Sequence, residues 1–425
     1  MASGPARLQI LIVGGGLAGL AAASFLREQH EVTVLERSKL DFARNDYAMS
    51  IAPNTHRLLL EQGIEDSHLK ATILNYVWNC GLDGKITREI LANSLARFGT
   101  TTIFTRRSRL HAELHRLATG DERPGKPARI IEEVKIATVD VVRGEIATEA
   151  GDTYRGDLII GADGINSAVR AAVLSTTSGS VNVAGGAAAV PSGLAAYLCT
   201  VPNAVLRDDP ILAFQTEKSG MAAFHGGDEG GLRKRVLVFP ADPENFQIVA
   251  YHPEDAWVER FTNSGSSIIK DIPATRAVQD FSEFHPSVQK MLASATNPDV
   301  WRIRDLDRLP EWHSGKAILI GDAAHAVTPH FGQGCNIAIE DGEAIGYFIR
   351  NLASPAQIPI ALESFESIRV PRAHMVQFSS RQAGGLLSPE EQKKAGQFNS
   401  NAFMAEVYGY TSAKDAWEKF KASQS

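Results

Sequence analysis

Three short stretches of the 425-residue sequence pair glycine with an acidic or amide residue at spacings suited to an anionic or electron-rich ligand. The first is Gly14-x-Gly16-x-x-Gly19, with Glu36 placed 22 positions after Gly14. Glycines so spaced let the backbone turn sharply and approach a pyrophosphate, and an acid at the end of the next strand can bind the hydroxyl pair of a ribose. Leu17, Ala18 and Arg37 flank these residues and belong to the same candidate surface. The second is Asp163-Gly164, which ends an apolar run and continues through Asn166-Ser167 to Arg170. The third is Gly321-Asp322, followed by Pro329-His330 and by Gly332-Gln333-Gly334-Cys335-Asn336. A strand, a turn, a glycine-rich loop and a helix start aim free backbone N–H groups and a helix dipole at something electron-rich.

The surrounding pattern supplies the elements to position these turns. Residues 9–13 read as a strand, 17–27 as a helix and 31–35 as a second strand, so the first motif lies at the turn of a βαβ unit. Residues 158–161 and 317–320 read as buried strands feeding the other two turns. A helix is expected from about residue 336 to 352. Residues 102–117 read as a strand running into a helix, with Arg107-x-x-Leu110 at the junction. Arg106 and Arg109 stand beside Arg107, and the residues alone leave the choice among the three open. The small, polar stretch 175–193 marks a domain change. Beyond it, residues 195–201, 211–215, 220–225, 235–239 and 247–252 alternate as strands. Residues 257–262, 267–272 and 286–295 look helical, and 300–306 reads as a strand returning to the first domain. The expected division is therefore residues 1–178, 179–300, 301–352 and a helical segment 353–425.

Composition narrows the function. A chain this long suits two domains sharing an interface. The net charge of −6 offers no basic surplus for nucleic acid or an anionic membrane. Arg233-Lys234-Arg235 reads as a solvated hairpin turn. Cys80, Cys199 and Cys335 lie far apart and give neither a disulfide framework nor metal-ligand spacing. The apolar run 8–26 is interrupted by Gly14, Gly15 and Gly16, which argues against a membrane anchor or signal peptide. A cytoplasmic enzyme, monomeric or homodimeric and without metal, is expected.

Taken together, the three glycine motifs in this order resemble those of the group A FAD-dependent aromatic hydroxylases, the salicylate-hydroxylase-like flavoprotein monooxygenases. The Pro53-Asn54 pair is similar to a family segment, whereas Tyr47-Ala48-Met49 stands where that family has glycines. The resemblance implies an α/β fold: a Rossmann-like FAD-binding domain, an inserted antiparallel-sheet substrate domain and C-terminal helices. It implies FAD lying along Gly14, Gly16, Gly19 and Glu36, meeting Arg107, Asp163, Gly164 and Asp322. The ring is then expected near Ala48, Pro329 and the backbone of Gly332, Gly334, Cys335 and Asn336. NADPH or NADH would reduce the flavin, and dioxygen would add to it as a hydroperoxide that oxygenates a small aromatic, phenolic or heteroaromatic substrate. Epoxidation of an indole or alkene, and an FAD oxidase or dehydrogenase, are the alternatives. His330, which follows Pro329, is the candidate for a substrate hydrogen bond or base, because an ordinary imidazole titrates near ~6.5. Tyr47, Tyr197 and His225 are further candidates. In the family the first substrate-domain strand often carries an Arg after an aromatic residue. Here Tyr197 is followed by Leu198; if that Arg anchors a phenolate or carboxylate, the anchor is missing and an acidic aromatic substrate is less expected.

Overall fold

The computed structural model describes residues 5–42, 46–177, 188–226 and 234–424. Most of the expected inter-domain stretch, and Arg233, lie outside them.

Three all-apolar runs build the first sheet. Its strands lie in the order His313–Ser314, Ala317–Leu319, Leu158–Gly161, Gln9–Val13, Glu31–Leu35 and Arg129–Ile131. All neighbours are parallel except the first pair. Helices cover such a sheet on both faces, which explains the uninterrupted burial of Leu158, Ile159, Ile160, Ala317, Ile318 and Leu319. The register sets Val13 opposite Gly161 and Gly161 opposite Leu319. The three glycine turns therefore leave one sheet edge side by side, where ligands bind in such folds.

The second sheet has eight strands: Ile268–Ile269, Thr296–Asp305, Val190–Pro202, Asn245–Pro253, Arg235–Asp242, Gly220–His225, Tyr76–Cys80 and Ile86–Leu91. It is antiparallel except where Gly220–His225 meets Tyr76–Cys80. Strand Thr296–Asp305, expected to return to the first domain, instead pairs along Val190–Pro202 in this sheet. Residues 211–215 are not a strand. Asp209 accepts from the Ile211 N–H through Oδ1 and from the Leu212 and Ala213 N–H groups through its carbonyl, which curls the chain into a turn before helix Phe214–Glu217. Residues 267–272 are not a helix: Ser266 Oγ accepts from the Ile268 N–H, and two β-branched residues then form the short strand Ile268–Ile269. Helix Ala274–Asp280 was not foreseen.

The C-terminal part is helical, led by Ile358–Gly384, which carries Pro371 within it. Among the described residues no helix is long and apolar enough to cross a membrane.

Candidate functional site

At the nucleotide end, Gly14 adopts φ +106°, and a Cβ there would lie 2.4 Å from the Ala162 carbonyl oxygen. A Cβ on Gly19 would lie 1.9 Å from the Gly14 oxygen, so helix Leu17–Leu26 packs directly on the turn. A Cβ on Gly16 would meet nothing within 4 Å. That open side faces a helix N-terminus without a side-chain cap, so its first N–H groups are available to an anion. Glu36 closes the turn: Oε2 accepts from the Gly15 N–H at 2.7 Å, and Oε1 accepts from the Ser38 N–H and hydroxyl. Leu17 and Ala18 are half-buried, and Arg37 is exposed. His111 is a residue the sequence reading missed. Its Nε2 lies 2.7 Å from the Gly15 carbonyl, and burial holds the imidazole below its usual pKa, so the neutral ring donates there. Its position four residues after Arg107, on the same helix face, was the available signal.

The second turn is locked by its own acid. Asp163 Oδ2 accepts from the Ala168 N–H, Ser167 donates to Oδ1, and Ser167 Oγ accepts from the Arg170 N–H. Ser167 thus caps helix Ala168–Thr177, while Asn166 accepts from Arg304 instead. Gly164 takes φ +77° with open space beside it. Arg170 donates to the Ile165 and Ala323 carbonyls, joining this turn to the third.

The third turn brings the remaining nominated residues together. Gly321 has φ +59°, and Asp322 begins the helical turn Asp322–His325. Asp322 is exposed to solvent yet surrounded by protein, as in a cleft, and that burial raises its carboxyl pKa. Burial pushes the Tyr47 phenol up to about 12, with Arg107 opposing and Cys335, Asp322 and Asp46 adding to the rise. Burial likewise pushes the Cys335 thiol up to about 12, against Arg107 and with Asp322. Tyr47, Arg107, Asp322 and Cys335 therefore share one electrostatic environment. Arg106 is committed elsewhere, to Asp242 at 2.7 Å and Asp46 at 3.4 Å. Cys335 is a neutral thiol and no nucleophile.

Pro329–Phe331 forms a 3-10 turn with an exposed Pro329, and Gly332 follows with φ +61°. Helix Gly334–Ile349 then starts without a side-chain cap. Asn336 fixes the loop: Nδ2 donates to the Gly332 and Ser50 carbonyls, and Oδ1 accepts from the Ala52 N–H. Ala48, one strand residue away, is buried and donates its N–H to Gln247 of the second sheet. Behind the loop, Asp341 accepts from the Gly321 N–H, pairs with His325 Nε2 at 2.6 Å and accepts from Arg369. Glu340 takes Asn54, Arg369 and Arg372. This explains the Pro53-Asn54 pair physically: Asn54 ties helix Pro53–Glu61 to helix Gly334–Ile349.

The second sheet roofs this loop. Cross-strand register places His225, Arg235, Tyr251, Ala196 and Trp301 in one row. The next row on that face, two residues along, is Ala223, Leu237, Val249 and Leu198. The roof touches the loop side where His330 Nδ1 accepts from Arg235 and where the Tyr47 ring meets Trp301 edge-on at 5.5 Å between centroids, besides the Ala48 bond to Gln247. His330 is held down to about 3, first by burial and then by Arg235, so it is neutral at working pH and its expected titration near neutrality is lost. His225 is at the end of the row, with Nε2 3.3 Å from Asn79 Oδ1. Tyr197 is not in the cleft. It points to the opposite face, where its hydroxyl donates to Asp280 and its ring packs on His252 and Trp257. Arg235 opens strand Arg235–Asp242, as the reading of residues 235–239 expects, but it is half-buried rather than the solvated end of a hairpin turn. A cavity of about 260 Å³ opens beside Tyr47, lined by Asp46, Leu198, Gln247, Asp299 and Trp301 among others.

The FAD binding domain family matches residues 7–379. The chain belongs to this family. Hispidin-3-hydroxylase of Neonothopanus nambi is 28% identical over 389 residues, 88% of each chain. Salicylate hydroxylase of Pseudomonas putida is 28% identical over 409 residues, 89% of this chain and 86% of that one. The crystal structure of CtdE in complex with FAD and substrate 4 shares the fold at a TM-score of 0.76 and 20% identity, over 98% of both chains. The enzyme is an FAD-dependent monooxygenase of the hydroxylase kind.

The residues present fit the cofactor of this FAD-binding family. The open side of Gly16 and the uncapped N-terminus at Leu17 suit a pyrophosphate. The uncapped N-terminus at Gly334 suits the electron-rich edge of a flavin ring, and a Cβ on Gly334 would touch only Val327, at 3.6 Å. When bound, FAD supplies the redox and oxygen-transfer chemistry, and the protein supplies position and charge.

Proposed function

We propose that this monooxygenase consumes NADPH or NADH and O2 to place one oxygen atom on a small aromatic, phenolic or heteroaromatic molecule, as part of secondary metabolism. The observation that carries the reading is the roof. A sheet face of Leu198, Leu237 and Val249, with Tyr251 and Trp301 beside them, lies against the ring-side loop through His330 and Tyr47. An apolar chamber bounded by a few convergent polar groups is what a flat aromatic ligand needs, and excluding water there protects a reactive oxygen-transfer step. Hydroxylase names among the relatives, from hispidin to salicylate, support an aromatic substrate.

Within this reading, Arg107 and Asp322 hold the ribityl and pyrophosphate part of FAD, and Glu36 the ribose. Gly332, Gly334, Cys335 and Asn336 support the ring. Residues 1–178 and 301–352 form the FAD-binding part, and residues 179–300 supply most of the roof, joined by the hairpin Tyr76–Cys80 and Ile86–Leu91. A cytoplasmic location is proposed with it, supported by the scattered free cysteines.

The test is NAD(P)H oxidation by the purified flavoprotein across a set of aromatic compounds, with product mass measured under isotopically labelled dioxygen. One labelled oxygen per NAD(P)H is expected for the true substrate. Coupled hydrogen peroxide formation without labelled product would instead mark an oxidase. Asp322→Ala should bind FAD roughly tenfold more weakly, a loss of about 1.4 kcal/mol, read as flavin content and as the dissociation constant on reconstitution. Full flavin occupancy in that variant would remove Asp322 from the cofactor site.

A further inference from the structure

Residues 385–400 are unlike the elements on either side of them. None of them is buried, whereas Ser379 and Ser380 before them and Phe403 and Val407 after them are. The segment carries the seven-residue helix Pro389–Ala395, which caps itself: Ser388 Oγ accepts from the Glu391 N–H, and the Glu391 carboxylate accepts from the Ser388 N–H. Lys394 pairs with Glu390 on the same helix. Among the described residues, its hydrogen bonds to the rest of the chain go to the flanking helix ends. The Gly396 carbonyl accepts from Gln382, the Gly385 and Leu386 N–H groups donate to the Gln382 and Arg381 carbonyls, and Asn399 caps helix Ser400–Tyr408. A short helix that makes its own bonds and buries no side chain can leave the surface without stranding a polar group away from water.

Both ends of this segment rest on one turn of the site. At the first end, Gly384 lies so close to His330 Nε2 that a Cβ there would clash with the ring. At the other, Phe398 packs on Phe331 at 5.2 Å between centroids, beside Phe403 on the same ring at 4.4 Å. His330 and Phe331 belong to the 3-10 turn Pro329–Phe331 that opens the glycine-rich loop. The chain therefore leaves the turn and returns to it, so seating of the segment and geometry of the turn are linked. Each end also has a residue that only glycine serves well. Gly385 takes φ +70°, and Gly396 takes φ +67° with ψ −155°, with nothing within 4 Å of where its Cβ would be.

We propose that residues 385–399 form a strap that opens and closes the Pro329–Phe331 side of the chamber, turning on Gly385 and Gly396 and latched by Phe398 on Phe331. This rests on the hydroxylase reading above and gives that site a route for small molecules. Closed, the strap keeps water from the ring-side loop; open, it admits substrate and releases product, a step that limits turnover in many enzymes with mobile covers.

The experiment uses the FAD-loaded, full-length enzyme. Trypsin reports on the strap, because Lys393 and Lys394 are exposed on its helix and cleavage follows the population of the undocked form. Anaerobic bleaching of the flavin band by dithionite, taken per bound flavin, reports on access to the ring. Gly396→Ala strains the seated strap, and Phe398→Ser removes the latch; neither touches a buried residue. Each should speed cleavage at Lys393 and Lys394 roughly tenfold and bleaching at least about threefold, the response of an equilibrium to one strained or lost contact. Glu390→Gln, exposed on the same helix, should change either rate by less than about twofold. Faster cleavage with unchanged bleaching in both variants would make the segment a passive surface loop, and unchanged cleavage in both would remove the hinge and the latch. Either result overturns the strap and leaves the hydroxylase standing. Failure of wild type and variants alike to place labelled oxygen on any aromatic compound would count against the hydroxylase reading instead, and leave the measured opening as it is.

Discussion

Two arginines, one fully buried and one half-buried, divide the molecule into a part that is complete in itself and a part that is not. Arg369, on the long C-terminal helix, is fully buried and donates to Asp341 at 2.8 Å, Glu340 at 2.6 Å and the Ile337 carbonyl at 3.0 Å. Arg372 adds two more bonds to Glu340, and the Tyr410 ring covers both guanidinium groups. Every charge there has a partner of opposite sign within the chain. Arg235, in the roof of the chamber, has an imidazole and an aromatic ring. The first arrangement fixes geometry: through Asp341 it holds Gly321 and His325, and through Glu340 it holds Asn54, so both walls of the glycine-rich loop hang from one clamp. The second leaves guanidinium donors without a carboxylate among the described residues. Burial alone does not mark a functional charge; burial with an incomplete partner set does.

The largest way to break this contrast is Arg369→Leu. Removing one member of a buried ion cluster strands Glu340 and Asp341, and should cost about 3–5 kcal/mol in denaturant unfolding, with flavin lost as the turn at Gly321 loosens. A loss below about 1 kcal/mol would mean that packing, not the charge cluster, holds the two walls.

The rim of the clamp gives the next effect. Glu343 accepts from the Tyr410 hydroxyl and from the Ala413 N–H, where the last helix docks. Burial nevertheless raises its pKa from 4.5 to about 7. A carboxyl with a raised folded pKa takes up a proton on folding. Its contribution is full below about pH 4.5 and is lost as pH climbs through about 7. The shift corresponds to at most about 3 kcal/mol. Stability compared with Glu343→Gln should therefore fall for the wild type between pH 5 and pH 8, and a difference independent of pH would show that Glu343 is already ionised throughout.

Much of the geometry of the glycine turns was legible in the sequence because the backbone demands particular residues there. Only glycine tolerates the contacts at Gly14 and Gly19, and a strand end next to a glycine turn leaves few roles for Glu36. The roof was legible as a sheet but not as a site. Alternation tells which residues share a face, yet not which face meets the loop, and so Tyr197 and Tyr47 read alike although they lie on opposite sides. His330 could be placed by its neighbours in sequence, whereas its depressed pKa comes from its burial and then from Arg235, 95 residues away. Arg235 itself was hidden in a basic tripeptide, where charge suggested solvent. Asp209 and Ser266, through side-chain bonds to the backbone, overrode the local apolar patterns at residues 211–215 and 267–272.

The smallest expected effect is also the sharpest. Arg235→Leu removes a half-buried cation that pairs with no carboxylate among the described residues, so none of those is left stranded. Replacing such a charge by an apolar side chain should leave unfolding stability within about 1 kcal/mol of the wild type, or raise it. Flavin content should not change, because the residues proposed to hold FAD lie on other elements. The same type of substitution would then be ruinous at Arg369 and harmless to folding at Arg235. Should Arg235→Leu unfold as readily as Arg369→Leu, the guanidinium on Tyr251 and His330 would be a structural brace, and the contrast between the two arginines would fail.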